Sequence, residues 1–505
     1  MEVATEHTSA LRSAARNSLV GGLGAITASV AGFVLAVIAG RALGTAGAGV
    51  FYACIALAMV GITVCCAGAD TGLLWAMSRD RAENAGRNLR RILRTALGPV
   101  ALLSLAAAAA LWVVAPFLAP VISSPSLADT AESALRVMSV GLLAGPLVLC
   151  LVQGSRALGS VLPFALIQQI GVPTLRVLLV LVLVGTALPA DETYFVLAWV
   201  VPLVLLAPVA AAVVVRRTAT ARGRADREPV VAWFWRYSLW RGLGNAGAMA
   251  LTWLDVVIVA ALASPAEAGA YAAASRFATS GQLGLQAMRL GIGPGVAAAF
   301  ARGDLGRVNV LHGLSAQWAT LLSWPIFLIL ACFPAAALGL FGPGFAEPSG
   351  ALVVLSVAMM ASVACGNVNT LLLMSGNSRW AATNTWIALS VTIAVDLALV
   401  PTLGGLGAAI GWTAGVLIEN GLGLLLIRRR LSVRLGGRAL LGAMLAVCAI
   451  VGASVLVAWV SLGRGVDGLL LSGLLTALGM AAYLYLARAR LQVRMLFGRG
   501  DRAGR

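Results

Sequence analysis

Long apolar runs alternate with short polar connections from one end of the chain to the other. Each run is close to the roughly 20 apolar residues that a helix needs to cross a bilayer. The pattern therefore predicts an all-α polytopic membrane protein with about 14 transmembrane helices. These helices are predicted at roughly 19–40, 48–75, 95–118, 134–152, 162–186, 194–215, 237–262, 267–300, 314–334, 350–374, 381–400, 405–427, 438–462 and 467–487.

The composition leaves no room for a separate soluble domain. The chain has 505 residues, of which 60% are hydrophobic, whereas soluble domains are about 45–50% apolar. About 14 spanning helices use roughly 280–350 residues, so only short connections and tails remain.

All 36 basic side chains are arginine, and no lysine is present. A P-loop lysine and a Schiff-base lysine are therefore excluded. The seven cysteines fall inside apolar runs, where they are typical small hydrophobic residues. The two histidines, His7 and His312, lie in predicted connections far apart in sequence. We therefore predict no metal site.

The arginines mark one side of the membrane. They are concentrated in every second connection, as at 79–94, 216–236 and 428–438, and in the tail from 488 to 505. Cytoplasmic connections carry such an excess, so both termini are predicted to be cytoplasmic. The same rule explains the net charge of +17 without nucleic-acid binding. The opposite connections are too short to carry the catalytic groups of an outer-face enzyme, so the chain is not predicted to be an enzyme.

Part of the chain is repeated at an offset of 219 residues, where 42–53 matches 261–272. The match predicts that helices 1–6 are duplicated as helices 7–12. We expect an N-lobe at 1–232, a C-lobe at 233–430, and two further helices with a basic tail at 431–505. Six helices are an even number, so the lobes should be related by a pseudo-two-fold axis along the membrane normal. A substrate site is then expected between them.

Two consecutive predicted helices carry polar stripes with helical spacing. Polar residues in spans usually face a cavity or a partner, because their exposure to lipid is costly. A shared aqueous wall and hydrogen bonding between helices in a dry core both remain open. The stripes comprise Arg241, Asn245, Thr252 and Asp255, and then Ser275, Thr279, Gln282, Gln286 and Arg289.

Arg176 and Arg276 are predicted near the middle of the membrane, from a helix rise of about 1.5 Å per residue. Guanidinium groups match phosphate oxygens, so these arginines suit an anionic group such as a diphosphate. Pairing between Arg276 and Asp255 is the alternative. The acidic residues Asp255, Asp396 and Glu419 are candidates for ion coupling.

Asp70 and Arg289 are also 219 residues apart and lie near the inner ends of their helices. They would occupy equivalent places in the two lobes with opposite charge. We therefore predict an inner gate formed by this ion pair.

Two segments resemble the bacterial polysaccharide (oligosaccharidyl-lipid) flippases, which share a superfamily with the MATE multidrug exporters and the lipid II flippase. Residues 254–258 and 268–276 resemble the junction of helices 7 and 8 in that family, and 373–379 with 399–409 resemble its segment from helix 10 to helix 12. The resemblance covers residues 15–430. Only Arg16 and Arg41 lie near the first helix, which departs from the arginines that the lipid II flippase uses.

The resemblance implies a flippase with two six-helix lobes and alternating access. Its cargo would be a polyprenyl-diphosphate-linked oligosaccharide, moved from the inner to the outer leaflet for cell-surface polysaccharide assembly. Arg276 and Arg289 would supply the arginine that the family commonly has on helix 8. Helices 13 and 14 would cradle the lipid tail.

The resemblance also sets the expected partners and location. They are membrane lipids, and polysaccharide polymerase or glycosyltransferase enzymes, in a bacterial plasma membrane. No cofactor is expected beyond a coupling Na⁺ or H⁺. A MATE-type ion-coupled exporter of drugs or metabolites is the alternative. Arg176 and Arg276 disfavour that alternative for cationic cargo.

Overall fold

The computed structural model describes residues 2–83, 86–186, 191–219, 230–281, 283–347, 349–431 and 437–487. These residues are helical almost throughout, and no strand occurs among them. The longer helices are α1 (Glu2–Cys66), α2 (Ala69–Glu83), α3 (Leu89–Ile122), α4 (Ala128–Ala157), α5 (Val172–Gly185), α6 (Glu192–Ala219), α7 (Val230–Leu262), α8 (Pro265–Ser280), α9 (Leu283–Ala301), α10 (Leu305–Cys332), α11 (Gly350–Cys365), α12 (Val368–Met374), α13 (Ser378–Leu431), α14 (Arg438–Leu462) and α15 (Val466–Leu486).

The predicted fold class is confirmed. Eleven helical segments of the described chain are long and apolar enough to cross a membrane. Two of them each hold two spans, because the chain turns at Gly44 in α1 and at Gly404 in α13. Helices α8 and α9 also belong to the described chain and lie outside these eleven segments. The described chain is therefore all-α, in agreement with the predicted architecture of about 14 transmembrane helices.

Two of the predicted spans depart from a regular α-helix. The span predicted at 162–186 begins with a π-helical turn, Ala165–Gly171, before α5. The span predicted at 350–374 is broken into α11 and α12 at Gly366, whose φ is +73°. Both irregular segments lie within spans, where only backbone that is covered by protein or that lines a cavity is tolerated.

His312 was expected in a connection, and this prediction is wrong. Helix α10 begins at Leu305, where Asp304 caps it by accepting a hydrogen bond from the Arg307 N–H at 2.9 Å. His312 therefore lies inside the helix, where it is only 2% exposed. The polar residues before the apolar run belong to the first turns of the helix rather than to a loop.

Contacts between residues divide the chain into two units. The predicted lobe limits at 232 and 430 rest on the sequence repeat and stay a prediction. The N-terminal unit comprises residues 1–276, 341–348 and 378–415, and the C-terminal unit comprises 277–340, 349–377 and 416–505.

Within the N-terminal unit, α1, α3, α4 and α6 pack against one another, and α7 packs against α1 and α2. Gly68 is the point of closest approach between the start of α2 and α7. Its φ is +77°, and a Cβ there would overlap the backbone of Ser238 and Gly242. Only glycine combines this φ with so close a crossing.

Within the C-terminal unit, α10 packs against α9, α11 and α14, and α14 packs against α15. The contact between α10, α14 and α15 is a cluster of buried apolar side chains that includes Leu321, Val447, Val451 and Met480. The last two helices of the chain are thus attached to this unit through α10.

Candidate functional site

A cavity of about 180 Å³ lies inside the N-terminal unit. Residues of α1, α5, α6, α7 and α8 line it, and most of them are apolar or aromatic. Arg176 and Arg276 are the exceptions, and Tyr52 adds a hydroxyl group. Two arginines from different helices therefore line one cavity.

Arg176 lies on α5, one turn after Pro173. Its guanidinium carbon is 3.7 Å from the centre of the Trp199 ring. Its Nε donates a hydrogen bond to the backbone carbonyl of Trp199 at 2.9 Å. Trp199 of α6 thus holds the guanidinium both by stacking and by a hydrogen bond.

Arg276 has an equivalent environment on α8. Its guanidinium carbon lies 4.1 Å from the centre of the Trp253 ring on α7. Its Nη2 also lies 3.3 Å from the hydroxyl oxygen of Ser275. Such stacking of an arginine on an indole contributes about 0.5–2 kcal/mol and holds the flat face of the guanidinium. The N–H groups at the edge of a guanidinium are the donors through which arginine binds an anion.

Asp255 and Asp396 form a pair of buried carboxyl groups. They are 2% and 0% exposed, and each carboxyl group is close enough to the other to influence its charge. The Tyr271 hydroxyl donates to Asp255 Oδ2 at 2.8 Å. Two ionised carboxylates repel at such a distance in a low dielectric. Sharing of one proton, or binding of one cation, would remove this repulsion, and the role of these residues in ion coupling stays a prediction.

Tyr271 connects this carboxyl pair to the arginine cavity. It donates to Asp255, and the positive charge of Arg276 acts on both Tyr271 and Tyr52. Arg276 lies over the Trp253 ring, and Asp255 accepts a hydrogen bond from Tyr271. The pairing of Arg276 with Asp255 stays a prediction.

Asp70 lies in the first turn of α2, where the charge of Arg241 on α7 acts on it. Both residues belong to the N-terminal unit. The predicted partner of Asp70, Arg289, belongs to the C-terminal unit, and its side chain lies outside the described part of the structure. The Asp70–Arg289 gate therefore stays a prediction.

Those of the other predicted site residues whose side chains the structure describes are not among the residues that line this cavity. Asn245 is half-buried on α7, and Thr279 is half-buried near the end of α8. Glu419 accepts a hydrogen bond from Asn369 at 2.9 Å inside the C-terminal unit. Gln282 and the side chain of Gln286 lie outside the described residues.

Sequence reasoning missed the aromatic half of the site. The sequence analysis did not single out three aromatic residues that line the cavity, which are Tyr52, Trp199 and Trp253. It also missed Arg136, which forms an ion pair with Glu132 at 2.6 Å and lies over the ring of Trp112. The one available signal was the position of each tryptophan well inside its apolar run rather than at the run's end.

The family model described as "Polysaccharide biosynthesis protein" matches residues 14–289 of this chain, which is more than half of it. This region includes every residue that lines the arginine cavity. No curated protein matches the chain in sequence.

Three solved structures share its fold. The lipid II flippase MurJ in an inward closed conformation has a TM-score of 0.73 at 11% identity, over 94% of this chain and 100% of that chain. An inward-facing multidrug resistance MATE family transporter of the MOP superfamily has a TM-score of 0.64 at 13% identity, over 81% and 98%. A MOP superfamily transporter from Pyrococcus furiosus has a TM-score of 0.57 at 16% identity, over 83% and 95%.

Proposed function

We propose that this chain, which belongs to the polysaccharide biosynthesis protein family, is a flippase for a polyprenyl-diphosphate-linked oligosaccharide. It carries this lipid from the inner to the outer leaflet by alternating access. Its product supplies the assembly of a cell-surface polysaccharide, together with polymerase and glycosyltransferase enzymes. The protein acts in a bacterial plasma membrane with both termini in the cytoplasm.

The observation that carries this proposal is the pair of stacked arginines in one cavity. Arg176 and Arg276 each have an indole on one face, so their charge is held in place before any ligand arrives. Guanidinium groups bind phosphate oxygens through parallel N–H donors. A diphosphate has several such oxygens and can contact both side chains at once, whereas a neutral sugar gains little from two positive charges.

The carboxyl pair supports a coupled mechanism. A transporter changes state only when a ligand or an ion binds its two states with different affinity. Asp255 and Asp396 can take up one proton or one sodium ion, and Tyr271 adjoins both this pair and Arg276. A change in the occupancy of the pair therefore reaches the arginine cavity through a single side chain.

A MATE-type exporter is the second candidate, and the carboxyl pair is the observation that favours it. Buried acidic residues suit both ion coupling and the binding of cationic drugs. The two arginines oppose cationic cargo, because they would repel a further positive charge in the same cavity. An exporter with this site would have to carry an anionic compound.

Transport by the purified protein in lipid vesicles distinguishes these functions. Three labelled compounds are compared: a polyprenyl diphosphate-linked sugar, its monophosphate-linked counterpart, and an anionic dye that has no prenyl chain. We expect transfer between leaflets of the diphosphate lipid, slower transfer of the monophosphate and no transport of the dye. Transport of the dye alone would replace the flippase by the exporter.

A further inference from the structure

A second, smaller cavity lies in the C-terminal unit, far in sequence from the arginine cavity and not used by the proposed flippase cycle. Its volume is about 20 Å³, and residues of α9, α10 and α12 line it. A cavity of at least about 10–15 Å³ can hold one water molecule if polar partners are present. Its polar lining consists of His312, Ser315, Asn367 and Thr370.

His312 is the unusual member of this lining. Its side chain is 2% exposed, and neither ring nitrogen has a hydrogen-bond partner among the described residues. Buried polar atoms are nearly always paired, so each exception requires an explanation. A water molecule in the adjoining cavity would satisfy one nitrogen, because the site is polar and has room for it.

The backbone beside His312 is broken. Helix α11 ends at Gly366, and a Cβ at that position would come within 2.9 Å of the His312 ring. Asn367 then turns back and donates from Nδ2 to the Ser315 hydroxyl at 3.0 Å, before α12 begins. Discontinuous spans commonly mark ion sites in transporters, because a helix break frees polar groups at membrane depth.

Charged groups are scarce around this site. Helices α11 and α12 carry no charged residue, and Cys365 is the titratable side chain next to the break. On α10, Arg307 is exposed at the first turn. Glu419 is hydrogen-bonded to Asn369 of α12. The single charged residue of α9 is Arg289, whose side chain is outside the described structure.

We infer that this cavity is a proton-binding site, in which His312 takes up a proton through one bound water and thereby loosens the break between α11 and α12. The proton comes from a hydronium ion, which remains as the cavity water, and it bonds to the ring nitrogen that holds the lone pair. No other bond changes. The lining offers no carboxylate to offset the new charge, so the protonated imidazole favours a more hydrated, opened cavity.

Nitrogen-15 NMR of histidine tests the binding step directly, because the chain has only two histidines. The variant His7→Gln leaves one imidazole signal. We expect this signal to change from the neutral to the protonated form as pH is lowered from about 8 to about 4. A signal that stays neutral over this whole range would overturn the inference.

Hydrogen exchange of the backbone amides at 366–374, corrected for the intrinsic effect of pH, tests the opening step. We expect protection to fall at least about tenfold over the pH range in which the imidazole titrates. The variant His312→Gln should lose this pH dependence, and His7→Gln should keep it. Equal pH dependence in both variants, or unchanged protection in the wild type, would refute the coupling. If His312→Gln does not fold, two wild-type curves still test the coupling. The pH midpoint of imidazole protonation and the pH midpoint of the loss of protection must then coincide, and different midpoints would refute it.

Discussion

Arg176 and Arg276 are held by the same kind of contact on different helices. The guanidinium carbons lie against an indole, 3.7 Å and 4.1 Å from the ring centres of Trp199 and Trp253. Stacking of this kind depends on the flat guanidinium group, which lysine lacks. The site should therefore discriminate between the two basic side chains even where the charge is conserved.

We expect Arg176→Lys and Arg276→Lys each to reduce transport of the diphosphate-linked lipid by about tenfold or more. The reason is that lysine keeps the charge but loses both the stacking and the paired donors. Transport rates in vesicles with equal protein content provide the measurement. Arg136→Lys is the matched control, since this arginine also lies over a tryptophan but outside the cavity. Unchanged rates in both cavity variants would contradict the assignment.

The carboxyl pair gives a second residue-scale prediction. Asparagine at position 396 can donate a hydrogen bond to Asp255 and so replace the shared proton. We expect Asp396→Asn to fold normally but to lose the response of transport to an imposed pH or sodium gradient. The exposed Asp467→Asn is the control, and it should respond as the wild type does. A retained gradient response in Asp396→Asn would remove the pair from coupling.

The arginines of the site could be predicted from the sequence, but their partners could not. A rise of about 1.5 Å per residue places both arginines near mid-membrane without any knowledge of packing. Whether Arg276 meets Asp255 or Trp253 depends on the rotation of α7 against α8, which is set by tertiary contacts. Both partners lie on the same helix two residues apart, so the sequence alone left the pairing open.

At the scale of elements, the helices of this protein are interrupted where the backbone needs glycine. The break before α2 combines Ala67 and Gly68 at positive φ with the close crossing of α2 over α7. An alanine in place of Gly68 would be disfavoured at this positive φ, and its methyl group would overlap the Ser238 backbone. The crossing therefore depends on the absence of a side chain.

We expect Gly68→Ala to destabilise the protein by at least about 1 kcal/mol, from backbone strain alone. Gly98→Ala on α3 is the matched control, because a Cβ at that helical position meets nothing within 4 Å. Thermal unfolding in the same detergent should show a lower midpoint for Gly68→Ala and an equal or higher one for Gly98→Ala. Equal midpoints for Gly68→Ala and the wild type would show that the crossing is not tight.

Apolar runs of about 20 residues suffice to predict the spans. In the bilayer each span must pair its own backbone N–H and C=O groups in a helix, and its side chains contact lipid or other helices. The irregular segments follow a different rule. The π-helical turn before α5 contains Gln168 and Gln169, and Asn367 and Asn369 follow the break at Gly366. The mean hydropathy of a span does not show how the backbone bends at such residues. For the same reason the early start of α10, which brings His312 into the protein, was not visible in the hydropathy pattern.

At the scale of the whole molecule, the charges along the chain make a prediction about orientation. The arginine-rich connections should all face the cytoplasm, and 14 spans then place both ends on that side. A fluorescent protein fused after residue 505 should therefore be fluorescent in the cytoplasm, and alkaline phosphatase at the same point should be inactive. Active phosphatase at the C-terminus would require an odd number of spans and would contradict the topology.

Binding of a polyprenyl diphosphate to the purified protein tests the central claim most directly. A hydrogen bond to a charged group contributes about 1.5–3 kcal/mol, so Arg176→Ala and Arg276→Ala should each weaken binding by roughly 10- to 150-fold. Arg136→Ala should bind as tightly as the wild type. If all three variants bind the diphosphate with the affinity of the wild type, the stacked arginines are not the headgroup site. The proposed function then loses its basis.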